Sequence, residues 1–312
     1  MKKLLVYLSG AVLIVILGSY LLIPSDLTLQ SHNSLNSSGS ALLRRLNEGS
    51  AIKKWWPGPA GSNTASAGYS FNGTDYMFRP VDMTLMAVIL RKGTTTLQTR
   101  LYIFKINKDS TNLLWIGHMQ ASRNPLTRIR QYLQVKSQQT DMDLILNRLS
   151  QFYVQPANLY GSVVNIQKVV DTAMIAIFAT SKGYPTDKAI SAQIVKLQAF
   201  ALQHAALQSG YPMVNVTPGD SVNKVFEVAL PVNKILAPTG GISPKRLPRG
   251  KILETEVKGG ISQVEKAMQE LKNYGIDHQF NVYVIPYYSL VTDRTAEPDS
   301  SKWITKVYCP IF

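Results

Sequence analysis

The chain has 312 residues, 45% of them apolar, enough to bury a core and to exclude wholesale disorder. Its single cysteine, Cys309, excludes an internal disulfide framework and a cysteine-cluster zinc site, and His32, His118, His204 and His278 show no metal-ligand spacing. The net charge of +14 is spread along the chain without a helix-turn-helix spacing or a zinc finger, so it reads as a solvated surface suited to anionic lipid and argues against a nucleic-acid partner.

Lys2 and Lys3 precede an uncharged run, Leu4 to Ile23, that ends at Pro24-Ser25-Asp26. Twenty helical residues rise about 30 Å, the hydrocarbon thickness of a bilayer. The run is longer than a signal-peptide core, and bulky Leu21, Leu22 and Ile23 stand where small cleavage-site residues would be. The reading is an uncleaved anchor over 1–26. The charges at its ends place the amino terminus in the cytoplasm and the rest outside a single-pass cytoplasmic (inner) membrane, in a bacterial periplasm.

Residues 24–150 carry 15 basic against 7 acidic residues. Leu27, Leu29 and Leu35 alternate as in an edge strand, and Ala41, Leu42, Leu43 and Leu46 give the apolar stripe of a short helix. Lys53-Lys54-Trp55-Trp56-Pro57-Gly58 follows, and then strands are expected at 69–71, 76–80, 83–90, 94–105 and 111–121. Asn72-Gly73 is a hairpin turn signal, and Lys108-Asp109-Ser110 is a second turn. Pro125 opens a helix predicted to run through Tyr153. A short helix, an antiparallel sheet and a long closing helix make a helix-grip order.

Residues 151–312 carry 16 basic against 12 acidic residues and repeat themselves. The first repeat is read as a strand at 163–180, a helix at 187–208 stopped by Ser209-Gly210, and strands at 212–217 and 224–232. The second is a strand at 250–257, a helix at 262–274 stopped by Gly275, and strands at 279–290 and 303–312. Ala237 to Gly241 links them. The closing strands align: Phe226-Glu227-Val228-Ala229-Leu230-Pro231-Val232 on Thr305-Lys306-Val307-Tyr308-Cys309-Pro310-Ile311. The repeat predicts two strand–helix–strand–strand units facing across a pseudo-twofold cleft, a natural ligand groove. Strand alternation puts Phe226, Val228 and Leu230 on one side, with Glu227 and Ala229 on the other.

Two resemblances follow from these residues. The strand, short helix and Trp-Trp-Pro-Gly turn, with Asp109-Ser110-Thr111 before Leu114-Trp115 and Asn124-Pro125-Leu126 with Arg128, resemble the START/polyketide-cyclase (SRPBCC) superfamily over 27–153. That resemblance implies an apolar cavity between sheet and long helix, with one of Trp55 and Trp56 packed and the other at its rim. Thr292-Asp293, then Glu297-Pro298-Asp299-Ser300-Ser301-Lys302-Trp303 and the strand to Ile311, resemble the carboxy terminus of GyrI-like domains, the effector-binding modules of AraC- and MerR-type regulators, over 154–312. It implies binding of small, often aromatic or cationic, organic molecules. The family's terminal glutamate falls on Lys306 here, while Glu227 keeps a carboxylate at the repeat-equivalent position.

The expected fold class is therefore α+β: a transmembrane helix, a helix-grip domain and a duplicated GyrI-like domain. The expected function is a membrane-anchored binder of hydrophobic or amphipathic small molecules, without a DNA-binding module and without cofactor or metal. Candidate ligand-binding residues are Phe226, Glu227, Tyr283, Tyr287, Trp303 and Tyr308. Glu227 and Lys306 are read as a pair, with Glu227 facing ligand as the alternative. Two other readings remain: hydrolysis with Glu227 as general base and a tyrosine as acid, or an interaction module that regulates a membrane partner.

Overall fold

The computed structural model describes residues 16–58, 68–169, 173–218, 223–247, 249–282 and 286–311, with residues 7, 10 and 14 besides. Most of the expected membrane span lies outside them. Its described part is helical over 16–22, and among the described residues no helix is long and apolar enough to cross a membrane. The chain divides into two compact units, Met1–Gln155 and Pro156–Phe312, each α+β and each built on one antiparallel sheet.

In the first unit, strand β1 (Asp26–Leu35) buries Leu27, Leu29 and Leu35 on alternate positions. Helix α1 (Gly39–Asn47) starts where the Ser38 side chain accepts a hydrogen bond from the Ala41 N–H, and the single turn α2 (Gly49–Ile52) follows. Strands β2 (Tyr69–Phe71), β3 (Thr74–Pro80), β4 (Leu85–Lys92), β5 (Thr95–Asn107) and β6 (Ser110–Gln120) complete a sheet of order β1-β6-β5-β4-β3-β2. Asn72 and Gly73, with φ of 48° and 71°, make the tight β2–β3 turn, a conformation asparagine and glycine tolerate best. Helix α3 (Pro125–Tyr153) opens on Asn124, whose side-chain oxygen accepts from the Leu126 and Thr127 N–H groups, with Pro125 at the position that needs no donor. It buries Met142, Ile145, Leu146 and Leu149, whereas Leu133 is exposed.

Both tryptophans of the Trp-Trp-Pro-Gly turn are buried. Their rings lie 5.7 Å apart, and the Trp56 indole N–H donates to the Ser70 carbonyl at 2.9 Å. With Lys54, Arg148 and Phe152 they border a surface cavity of about 290 Å³.

The second unit starts with the short helix α4 (Pro156–Tyr160). The expected strand 163–180 is two strands: β7 (Asn165–Lys168) and β8 (Ala173–Lys182) lie far apart in the sheet, on β12 and β10 respectively. Helix α5 (Asp187–Gln203), capped by the Thr186 hydroxyl, ends earlier than expected because Ala205 turns left-handed (φ 49°) and redirects the chain before Gly210. Strands β9 (Met213–Pro218), β10 (Asn223–Pro231), β11 (Ile242–Arg246) and β12 (Lys251–Lys258) follow. Helix α6 (Ile261–Asp277) runs through Gly275 instead of stopping there. That glycine is wanted for space, since a Cβ on it would come within 2.4 Å of the Val282 side chain. Strands β13 (Tyr287–Leu290) and β14 (Ile304–Ile311) close the unit.

The sheet order is β11-β8-β10-β9-β13-β14-β12-β7. The repeats β8-α5-β9-β10 and β12-α6-β13-β14 are thus mirrored about the β9–β13 junction. They join edge to edge in one sheet through Tyr288↔Val214 and Ser289↔Met213, instead of facing one another as two sheets. One face carries the core: Phe226, Val228, Leu230, Val307 and Cys309 pack with Leu197 of α5 and Leu271 of α6.

Candidate functional site

The opposite face of the eight-stranded sheet carries the polar and aromatic set. Cross-strand registers give a row Glu254↔Tyr308↔Tyr287 in the second repeat and a row Asn215↔Glu227↔Phe178 in the first. The Asn215 amide donates to the Pro286 carbonyl at 3.5 Å, a long bond that ties β9 to the start of β13. The Tyr287 and Tyr308 rings stack at 5.1 Å with 24° between their planes. The rows exist because side chains two apart on a strand share a face, so Glu227, Tyr287 and Tyr308 are separated from Phe226 and Tyr288 by strand geometry alone.

A cavity of about 210 Å³ opens on this face. Met174, Met213, Ala229, Leu247 and Pro310 supply apolar lining, and Glu227, Asn215, Lys245, Arg246 and Tyr287 the polar groups. Beneath it, Met174, Ala176 and Ala229 form a small buried cluster joined by Met213 and Leu247. A larger cavity of about 320 Å³ lies on the helical side, bordered by Asp187, Ser191, Tyr211 and Arg294, and includes none of the sequence-derived candidates.

Glu227 does not pair with Lys306. The Lys245 ammonium lies 2.5 Å from Glu227 Oε1, off the hydrogen-bonding angle, so the contact is an ion pair and that oxygen has no well-aligned donor. The same ammonium sits 4.9 Å from the Phe178 ring centre, a cation–π contact. Lys306 instead donates to Glu254 Oε1 at 3.2 Å. The two residues occupy equivalent places in the repeats, but their neighbouring strands differ: β11 brings Lys245 beside β8, and β12 brings Glu254 beside β14.

The remaining candidates separate. Phe226 is on the core face, 1% exposed. Tyr287 lines the cavity, and Tyr308 stacks on it from the next strand without bordering the cavity. Trp303 lies elsewhere, at the end of a short 3-10 turn (Ser300–Lys302); its indole N–H donates to the Glu297 carbonyl at 2.7 Å, and the Arg294 guanidinium lies 4.6 Å from its ring. Tyr283 lies outside the described residues. Sequence reasoning missed Lys245, Met213 and Leu247. Lys245 belongs to a five-residue, proline-containing strand that reads as linker, and only its place in the 245–251 basic cluster marks it.

Burial pushes the Tyr287 phenol well above its ordinary range, and Tyr308 and Glu254 add to the shift. Tyr308 is raised by burial and then by Glu254, and Tyr288 by burial and then by Tyr184. In the first unit burial pushes Tyr153 up to about 12. The hydrogen bond to Glu254 raises Lys306. All these groups have folded values above their unfolded ones. Their contribution is therefore complete below about pH 10 and lost as pH rises beyond it, where the unfolded chain gives up its protons first. An alkaline titration followed by tyrosinate absorbance should show the buried tyrosines ionising late and cooperatively, coincident with loss of the far-ultraviolet helical signal. A single non-cooperative step over all tyrosines would contradict this burial.

No family model and no curated protein matches the chain. Among solved structures it is similar to the EcmrR C-terminal domain, at a TM-score of 0.41 and 13% identity over 48% of this chain and 98% of that one. It is similar to SAV2435 bound to tetraphenylphosphonium, at 0.32 and 15% over 48% and 94%. It is also similar to a hydrolase from Listeria innocua, at 0.37 and 10% over 47% and 92%.

Proposed function

We propose that the chain is a membrane-tethered binding protein whose second unit, a GyrI-like domain, holds small hydrophobic or amphipathic molecules on the face of its sheet opposite the helices. The observation that carries the reading is the cavity in which an apolar floor of Met174, Met213 and Leu247 meets a few placed polar groups, Glu227, Lys245 and Asn215, beside the stacked Tyr287. The mirrored repeats and the terminal Glu297-Pro298-Asp299 to Trp303 pattern support the family. The strand order and long closing helix of the first unit support a START-like, helix-grip reading of 27–153. Tethering rests on the uncharged run from Leu4 to Ile23 behind Lys2 and Lys3, with Leu17, Leu21 and Leu22 exposed on its helical part. In this reading the amino terminus is cytoplasmic and both units lie outside a bacterial inner membrane. Glu227 serves to place a lysine, which is not the state of a free general base.

The test uses the full-length chain extracted from membranes in mild detergent. Mass spectrometry of co-purifying small molecules should recover an apolar organic compound lost in an Ala229→Arg variant, whose side chain would fill the cavity. No recovered compound and no binding of lipophilic dyes would overturn the binding role. Release of the chain from membranes by alkaline carbonate would overturn the tether alone.

A further inference from the structure

We infer that this cavity selects apolar molecules carrying a negative charge. The inference rests on the binding role proposed above and adds its charge selectivity. Two carboxylates on this face are already matched by a lysine, Glu227 by Lys245 at 2.5 Å and Glu254 by Lys306 at 3.2 Å, while Glu256, next on the same face of β12, is not among the residues that line the cavity. Both pairs are largely withdrawn from solvent on their acidic side, with carboxylate side chains 17% and 11% exposed, so water does not readily replace the lysines. A cationic ligand approaching Glu227 meets the Lys245 ammonium first. It must displace that group from the carboxylate and from the Phe178 ring, or bear like-charge repulsion in a partly desolvated site.

An anionic ligand meets the opposite situation. Among the described residues that line the cavity Glu227 is the one carboxylate, and the Lys245 ammonium stands against it. An ammonium has three N–H donors, so one carboxylate neighbour leaves capacity for a second anion. Glu227 and Phe178 hold the lysine ammonium in place, which lowers the entropy cost of using it. An aromatic or aliphatic body then lies on Met174, Met213 and Leu247 beside Tyr287, with its acid group at Lys245.

Calorimetric titration of the full-length chain with three shape-matched probes, naphthoate, naphthylmethylammonium and neutral naphthylmethanol, separates the charge question from the existence of the site. Naphthoate should bind about tenfold more tightly than naphthylmethylammonium, the scale of one partly exposed charge pair on each side, with the alcohol between them. Lys245→Met should remove or invert the preference while the alcohol still binds. Lys306→Met, outside the cavity lining, should leave the preference in place. If the alcohol binds but the ammonium equals or exceeds the carboxylate, the charge inference falls and the binding site stands. If none of the three binds, the site itself falls, and the inference with it.

Discussion

Trp115→Ala is expected to destabilise the first unit by about 3–5 kcal/mol, the range for truncating a large buried aromatic. Trp115 is fully buried in β6. Its ring packs edge-on against Tyr76 at 6.0 Å and lies 6.2 Å from Phe78, so both β3 aromatics lose a neighbour. Its indole N–H donates to the Thr99 hydroxyl at 2.7 Å, and that hydroxyl donates in turn to the Val88 carbonyl at 2.7 Å. The chain of bonds therefore links β6, β5 and β4 across the interior of the sheet. Alanine removes the packing, leaves a cavity and deprives Thr99 of its donor. Trp115→Phe keeps most of the volume and loses the indole donor, so its cost should be nearer 1–2 kcal/mol. Three of the four tryptophans, Trp55, Trp56 and Trp115, belong to this unit, so a denaturant titration of the full chain read by tryptophan fluorescence reports mainly on it. A domain of ordinary stability has about 5–15 kcal/mol to lose, so the alanine variant should move the midpoint far toward water. An alanine variant within about 0.5 kcal/mol of the parent would show that this interior is not close-packed around Trp115.

Local structure was readable where local chemistry decides it. The 125–153 helix has an asparagine cap, a proline at its first position and no internal breaker, so its start and its uninterrupted length follow from nearest neighbours. The six-stranded sheet has turn signals at nearly every corner. Positions where distant packing decides were read less well. Gly275 looks like a helix stop in isolation, yet it is the point where α6 meets Val282. The 163–180 segment has the apolar content of one strand, but its halves lie on opposite sides of the sheet. The site divides along the same line. Alternation along β10 already separates Glu227 from Phe226, and that separation holds in the structure. The partner of Glu227 could not be read from the repeat, because pseudo-symmetry relates Glu227 to Lys306 without making them neighbours. The ion pair is made by β11, which lies on the far side of β8 from β10 and belongs to neither strand–helix–strand–strand unit.

Arg294→Ala is expected to cost the second unit about 2–4 kcal/mol. Its side chain is only 4% exposed and makes three kinds of contact at once. One guanidinium nitrogen donates to Asp187 at 2.6 Å, the other donates to the Thr305 hydroxyl at 3.1 Å, and the plane lies over the Trp303 ring. Asp187 opens α5 of the first repeat, and Thr305 lies in β14 of the second, so this one residue joins the repeats on the helical side of the sheet. Breaking a fully buried pair costs about 3–5 kcal/mol. The lower figure applies here because the Asp187 side chain is 43% exposed and stays hydrated when its partner is removed. Arg294→Lys keeps the charge but loses the planar fork and the stacking, so it should fall between alanine and the parent. Asp187→Ala removes the carboxylate from a buried guanidinium that keeps the Thr305 hydroxyl and the Trp303 and Tyr288 rings, and should also destabilise. If the two groups act as a pair, the double alanine variant will cost less than the sum of the single ones. Hydrogen exchange at α5 and β14 in the full-length chain reads the effect in the unit concerned. Strictly additive single variants would sink the pair as the link, and would leave the Thr305 hydrogen bond and the Trp303 and Tyr288 rings as the source of whatever stability Arg294 provides.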